Sequence, residues 1–241
     1  MRLRVVGCSP AWPNPGGAQS GYLVEEDGRR LLLDCGPGVL PRLRETEAWP
    51  RVDAIAISHF HLDHWGDLVP WAFGGLFGAG RDVPPPALWL PPGGRQTLES
   101  LDPVLYAGAV LDLFAVEEYA EGEPFTAAGF ELTAHRMLHY EVAAYGLRVA
   151  GREGTLAYGA DSAPCDGLVE LARDADVFLC EATLDRPEEG TRGHLTAAEA
   201  IDAFETAGAG RLVVIHRPDE LPLPDGVERA HDGLELDVQR R

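Results

Sequence analysis

The chain contains no lysine; all 20 of its basic side chains are arginine. That absence excludes Schiff-base chemistry and any lysine nucleophile. Cysteine is scarce, and Cys8, Cys35, Cys165 and Cys180 lie far apart with no C-x-x-C pair. A disulfide scaffold and a cysteine-rich zinc ribbon are both disfavoured, and the four read as small buried apolar side chains. No apolar run approaches the roughly 20 residues that span a bilayer. The opening Met1–Gly7 has neither the apolar stretch nor the cleavage site of a secretory leader, so a cytoplasmic protein with no membrane partner is expected. Positive charge is in deficit as well, 20 arginines against 39 acidic residues, a formal balance of −19. Such an excess repels polyanions over most of the surface unless a local basic patch or bound metal reverses the sign.

What is present fits one α/β unit over residues 1–241, with 45% hydrophobic and 24% charged residues. Arg2–Gly7, Tyr22–Glu25 and Arg30–Leu33 are short apolar or alternating runs bounded by turn residues. They predict a β-meander with Glu26-Asp27-Gly28 as a hairpin turn. Gly36-Pro37-Gly38 breaks the chain before a helix at Val39–Arg44. Ala54–Ile57 reads as a buried strand, Leu68–Phe77 as a helix and Ala87–Leu90 as a short strand. Further on, Leu111–Val116, Glu131–Met137, Ala144–Val149, Thr155–Tyr158, Val177–Cys180 and Arg211–Ile215 read as strands, and Leu168–Ala172 as a helix. Thr196-Ala197-Ala198-Glu199 has the pattern of a capping box, opening a helix that closes at Ala207 before Gly208. Two strand-rich halves, each finishing in helices, predict two sheets packed face to face with helices outside.

The chemistry concentrates where a buried strand ends. Ser58-His59-Phe60-His61-Leu62-Asp63-His64 carries four metal-ligating side chains. They cannot all face one way on a strand or helix, but they can converge from a loop that turns directly into a helix. Imidazole and carboxylate suit zinc, manganese or iron rather than calcium or magnesium. Elsewhere, Asp161 reads equally as a turn aspartate and His216 as a core histidine. His135 and His139, four residues apart, both remain candidates for a further ligand.

The run His59-x-His61-x-Asp63-His64 resembles the signature of the metallo-β-lactamase superfamily, an αββα four-layer sandwich with two metals at one edge. Asp34, closing Leu31-Leu32-Leu33-Asp34, resembles the family's first motif, an aspartate that orients the metal loop. His139, Asp161 and His216 match the remaining ligand motifs. The resemblance implies one metal on His59, His61 and His139 and another on Asp63, His64 and His216. Asp161 would bridge them, leaving room for a bridging hydroxide. Zn2+ is the expected pair, with Mn2+ or Fe2+ as alternatives. His139 is preferred over His135 because His139-Tyr140-Glu141-Val142 resembles the family's third-histidine segment.

Within the superfamily the chain is most similar to the ribonuclease Z-like branch and the bacterial cyclic-nucleotide phosphodiesterases. Gly7-Cys8-Ser9, with Pro15 to Val24, resembles that branch's opening. Glu181-Ala182-Thr183 and Gly193-His194-Leu195-Thr196-Ala197 resemble its later boxes. The resemblance implies catalytic roles for Asp63, His194 and Glu181, with His194 protonating the leaving oxygen and Glu181 assisting it. It also implies a homodimer. His231 matches no motif and reads as a surface residue. The departure from ribonuclease Z is the segment between His139 and Asp161, where that family's tRNA-gripping arm is expected and only residues 140–160 lie. A small-substrate phosphodiesterase is therefore expected ahead of tRNA 3′ cleavage, with ester, lactone or thioester hydrolysis and non-catalytic metal binding behind them. Trp71–Trp89, apolar and rich in glycine, reads as a substrate wall, a dimer face or ordinary core.

Overall fold

A computed structural model describes residues 1–105 and 108–241. The meander forms from β1 (Arg2–Gly7), β2 (Gly21–Glu26) and β3 (Arg29–Leu33), turned at Asp27 and Gly28, both with positive φ. After α1 (Val39–Leu43), the strand β4 (Ala54–Ala56) joins β3 in parallel. The histidine-rich run starts in the loop after β4 and enters α2 (Leu62–Trp65), and then α3 (Leu68–Phe77), β5 (Ala87–Leu90), α4 (Gly94–Leu105), α5 (Gly108–Leu113) and β6 (Ala115–Glu118) complete the first half. The second half runs through β7 (Phe125–Ala127), β8 (Phe130–His139), β9 (Val142–Ala150), β10 (Thr155–Tyr158), α6 (Asp166–Ala172), β11 (Val177–Glu181), α7 (Ala197–Ala207), β12 (Leu212–Ile215), β13 (Glu228–Arg229) and β14 (Glu235–Asp237).

Two seven-stranded sheets result, ordered β14-β1-β2-β3-β4-β5-β6 and β13-β12-β11-β10-β9-β8-β7. The final strand crosses back to pair antiparallel with β1, so the second half supplies an edge to the first sheet. Strand alternation sorts the side chains into layers. Leu31 and Leu33 face inward with Leu3, Val5, Tyr22 and Val24, meeting Leu132, Leu147, Val149, Leu156, Leu179 and Ile215 of the opposite sheet. Leu32, Ile55 and Leu88 face the other way, under Val39, Leu43, Trp65, Leu68 and Trp71 of the first helical layer. Ala157, Phe178, Cys180 and Val214 do the same beneath Leu168, Leu171, Ala200 and Ala203 of α6 and α7. The central strands are covered on both faces, which is why they read as unbroken apolar runs. The expected αββα sandwich is the observed architecture.

One expected element is wrong. Leu111–Val116 is not a strand; its first part belongs to α5, and β6 starts only at Ala115. Val110 and Phe114, four residues apart, are both buried in the helical layer, and that spacing settles the segment as helix. The strands β7, β13 and β14 and the helix α4 were not expected at all. They are short edge strands or amphipathic surface pieces, whose pairing depends on partners distant in sequence. Among the described residues, no helix is long and apolar enough to cross a membrane.

Candidate metal centre

The side chains converge because strands of both sheets end at the same edge and the backbone then turns sharply. Asp34, Tyr140 and His216 directly follow β3, β8 and β12, and Ala160 lies two residues past β10. All four adopt left-handed backbone, with φ of 59°, 48°, 50° and 49° respectively. For residues with a Cβ this conformation costs about 1–3 kcal/mol each, and such strain gathers where side chains must be aimed. The loop from His59 is held by a different constraint. A Cβ on Gly36 would lie 1.9 Å from the Asp63 carbonyl oxygen, so only glycine lets the chain after β3 pass beneath α2.

Three groups of potential ligating atoms form among the described residues, each with all its members within 4.8 Å of one another: His59, His61, His139 and Asp161; Asp63, His64, Asp161 and His216; and Glu181, His194 and His216. Asp161 is common to the first two, which form the paired clusters, and His216 links the second to the third. In the second, Asp63 Oδ2 lies 3.4 Å from His64 Nε2 and 3.1 Å from His216 Nε2. Asp161 Oδ1 stands 3.4 and 3.6 Å from those two nitrogens. Asp161 Oδ2 turns to the first group, 3.9 Å from His59 Nε2 and 3.8 Å from His139 Nε2. Ligands about 2.0–2.1 Å from a tetrahedral ion lie about 3.4 Å apart, so these separations suit such ions.

Hydrogen bonds assign the tautomers. The buried Asp34 carboxylate accepts from the Ser58 N–H and hydroxyl, each at 2.7 Å, from His64 Nδ1 at 2.7 Å, and from the Tyr158 hydroxyl. With its proton given to Asp34, Ser58 Oγ accepts from His59 Nδ1 at 3.0 Å. His139 Nδ1 donates to the Gly193 carbonyl at 2.7 Å. The Thr183 hydroxyl donates to Glu181 at 2.6 Å and lies 3.0 Å from His216 Nδ1, from which it accepts. All four rings are thereby fixed with Nε2 as the nitrogen left to bind a cation. His61 presents Nδ1 instead, 2.8 Å from His139 Nε2. Two bare imidazole nitrogens at that separation repel unless a proton or cation lies between them.

The fit to cations rests on unpaired buried atoms. His59 Nε2, His64 Nε2 and Asp161 Oδ1 are all buried without a hydrogen-bond partner. Each unmet polar atom costs about 1–3 kcal/mol, a penalty that divalent ions would remove. Protonation points the same way for three of the rings. Burial pushes His59, His61 and His139 down, towards the neutral form that can ligate. Burial also pulls His64 down, but the charges of Asp161, Asp34 and Asp63 outweigh it and raise that ring, so a cation there would displace its proton. Burial acts to raise Asp63 and Asp161, but the surrounding His64 and His216 rings hold both well below the usual carboxylate range. The His/Asp clusters are suited to a dinuclear metal site.

The other expected residues divide cleanly. His194 lies beside the clusters, with ring centroids 4.9 Å from His139 and 5.7 Å from His216. Its Nδ1 donates to Glu181 Oε1 at 2.8 Å. Burial lowers the His194 pKa, but the Glu181 charge and hydrogen bond outweigh it and push the ring up to about 9. Glu181 is held in turn by the N–H groups of Ser162, Thr183 and Leu195, at 2.9, 3.1 and 3.3 Å. His135 belongs to neither cluster; its charged neighbours are Arg148, Glu170 and Glu121. His231 is exposed, as expected. In the Trp71–Trp89 stretch, Trp71 is core, whereas Phe77 is 72% exposed. The sequence gives no sign of the roles of Ser58, Tyr158 or Glu188, and marks Gly36 only as a chain break, because their contacts with Asp34, Tyr140 and Asp63 appear only in the fold.

Fold and site together define a hydrolase of the metallo-β-lactamase fold. Residues 29–217 match the family model described as the β-lactamase superfamily domain, and the chain belongs to the metallo-β-lactamase superfamily. A probable metallo-hydrolase of Bacillus subtilis, YhfI, is 31% identical over 224 residues, covering 90% of this chain and 87% of that protein. The YhfI crystal structure superposes with a TM-score of 0.84 at 25% identity, covering 98% and 99% of the two chains. A ribonuclease Z of Salinibacter ruber is 29% identical over 293 residues, covering 95% of this chain and 89% of that one. The Zn2+-bound PqqB of Methylobacterium extorquens shares the fold at a TM-score of 0.80 and 19% identity, covering 99% and 100% of the chains.

Proposed function

We propose that this hydrolase is a phosphodiesterase acting on a small phosphodiester such as a cyclic nucleotide. His59, His61 and His139 would hold one divalent ion, Asp63, His64 and His216 the other, and Asp161 would touch both. Zn2+ suits this nitrogen-and-carboxylate set best, with Mn2+ or Fe2+ next. Bound there, the ions would supply Lewis acidity to the phosphoryl oxygens and acidify water.

The observation that carries the reading is the His194–Glu181 pair, 2.8 Å apart at the edge of both clusters. A departing alkoxide needs a proton, and a histidine pushed up to about 9 is protonated at neutral pH. Nδ1 is committed to Glu181, so Nε2 is the donating nitrogen. Water oxygen bonds to phosphorus, the bond from phosphorus to the leaving oxygen breaks, and the His194 proton goes to that oxygen. The attacking water's proton passes to solvent. A small substrate is supported by residues 140–160, which consist of β9, β10 and short turns, and by the balance of −19. Likeness to a ribonuclease Z favours a second reading, cleavage at tRNA 3′ ends.

Zinc- or manganese-loaded protein should be offered cyclic AMP, bis-p-nitrophenyl phosphate, a precursor tRNA and a panel of carboxylic esters, lactones and thioesters. Turnover of the first two without tRNA cleavage is the expected result. Cleavage of tRNA alone selects the second reading. Hydrolysis confined to the ester panel, or full metal loading with no turnover, removes the phosphodiesterase reading.

A further inference from the structure

Between β11 and the Thr196 cap of α7 the chain makes an excursion over residues 185–193 before delivering His194 to the site. Most of it is exposed: Asp185, Arg186, Pro187, Glu189, Gly190 and Thr191 face solvent. Glu188 behaves differently. Its carboxylate folds back so that Oε2 accepts the consecutive N–H groups of Gly193 and His194, at 2.8 and 3.3 Å. Its Oε1 accepts the Tyr140 hydroxyl at 2.5 Å. Two successive backbone N–H groups converging on one anion form a fixed anion seat, here filled from within the chain.

The bonds tie this excursion to the end of β8. Tyr140 N–H donates to the Arg192 carbonyl at 3.0 Å, and His139 Nδ1 donates to the Gly193 carbonyl at 2.7 Å. The Tyr140 ring lies so close that a Cβ on Gly193 would come within 2.2 Å of it. Glu181 thus fixes the imidazole of His194, while Glu188 fixes the backbone that carries it.

We infer that Glu188 is a positioning residue for His194, acting through its clamp on the 193–194 backbone and Tyr140. The inference rests on the proposed proton-donor role of His194 for its kinetic consequence, but not for its structural one. A misplaced donor slows departure of a poor leaving group far more than of a good one, because p-nitrophenolate leaves without a proton. In Glu188→Ala, turnover of cyclic AMP should fall about tenfold or more while bis-p-nitrophenyl phosphate changes less than about twofold. Metal content should be unchanged. Independently of any substrate, the Gly193 and His194 amides should exchange with solvent about tenfold faster, measured by NMR. Glu188→Gln, which keeps an acceptor oxygen, should recover part of both effects.

Equal slowing of both substrates with loss of metal would make Glu188 a structural support of His139 and overturn the inference. Unchanged amide exchange would overturn it too, whatever the kinetics. Should the wild type turn over no phosphodiester, the functional reading fails by itself, and the amide exchange still decides whether the clamp exists.

Discussion

At the scale of single residues, the ligand atoms and the atoms that aim them separate experimentally. His61→Ala removes a nitrogen that the proposed metal site requires and should abolish metal loading and activity together, as read by metal analysis and turnover. His194→Ala should keep both ions and slow turnover by about 10²–10⁴-fold, the usual worth of a positioned proton donor. Equal metal loss in both variants would move His194 from the donor role to a ligand, an arrangement that the proximity of Glu181, His194 and His216 makes worth testing. Asp34→Asn would disturb the acceptor that fixes His64 Nδ1 and should weaken metal affinity by about 10–100-fold in chelator competition. Protonation adds a stability effect in the metal-stripped chain. His194 is raised from 6.5 to about 9, so its pairing with Glu181 contributes fully below 6.5 and is lost as pH rises through about 9. Denaturation of metal-stripped His194→Gln should therefore show a flatter stability profile than wild type across that window.

At the scale of elements, the helices with explicit end chemistry were the easiest to read. The Thr196 hydroxyl accepts from the Glu199 N–H, the Glu199 carboxylate accepts from Thr196, and Gly208 closes α7 in left-handed backbone. Every part of that pattern lies within one helix. Thr196→Ala should cost about 1 kcal/mol in urea denaturation, and it should loosen the segment leading to His194. The histidine-rich loop was equally legible, because four candidate ligands lie in a few consecutive residues after a buried strand. His139, Asp161 and His216 were legible only through family likeness. Taken singly each has an ordinary structural explanation, and only the convergence of β8, β10 and β12 at one edge makes them a cage. The error at Leu111–Val116 has a related cause: an apolar run facing a packed layer suits either conformation, and burial on one face at helical spacing appears only in three dimensions. Glu188 was invisible for the same reason. An acidic residue in a polar loop gives no sign in sequence that its carboxylate folds back onto the N–H groups of Gly193 and His194 while taking the hydroxyl of the distant Tyr140.

At the scale of the whole molecule, both sheets contribute side chains to one cage suited to cations, so metal binding there should be linked to folding. Unpartnered His59 Nε2, His64 Nε2 and Asp161 Oδ1 destabilise the metal-free chain. Free metal at a hundred times its dissociation constant should add about 2.7 kcal/mol per site. Chelation should accordingly lower Tm, and added Zn2+ should restore it; an unchanged Tm would separate the cage from the stability of the sandwich.

The candidate ligands sit on strand ends and on the loop into α2, anchored in apolar layers, whereas the excursion at 185–193 is mostly solvent-facing and meets the site through Glu188, Arg192 and Gly193. Its outward positions, 185–187 and 189–191, can therefore vary freely, whereas Gly193 is buried and bonded to His139. Changes confined to those outward positions should leave the bonds to His139 and Tyr140 in place, so they are where this scaffold can drift at least cost to the cage.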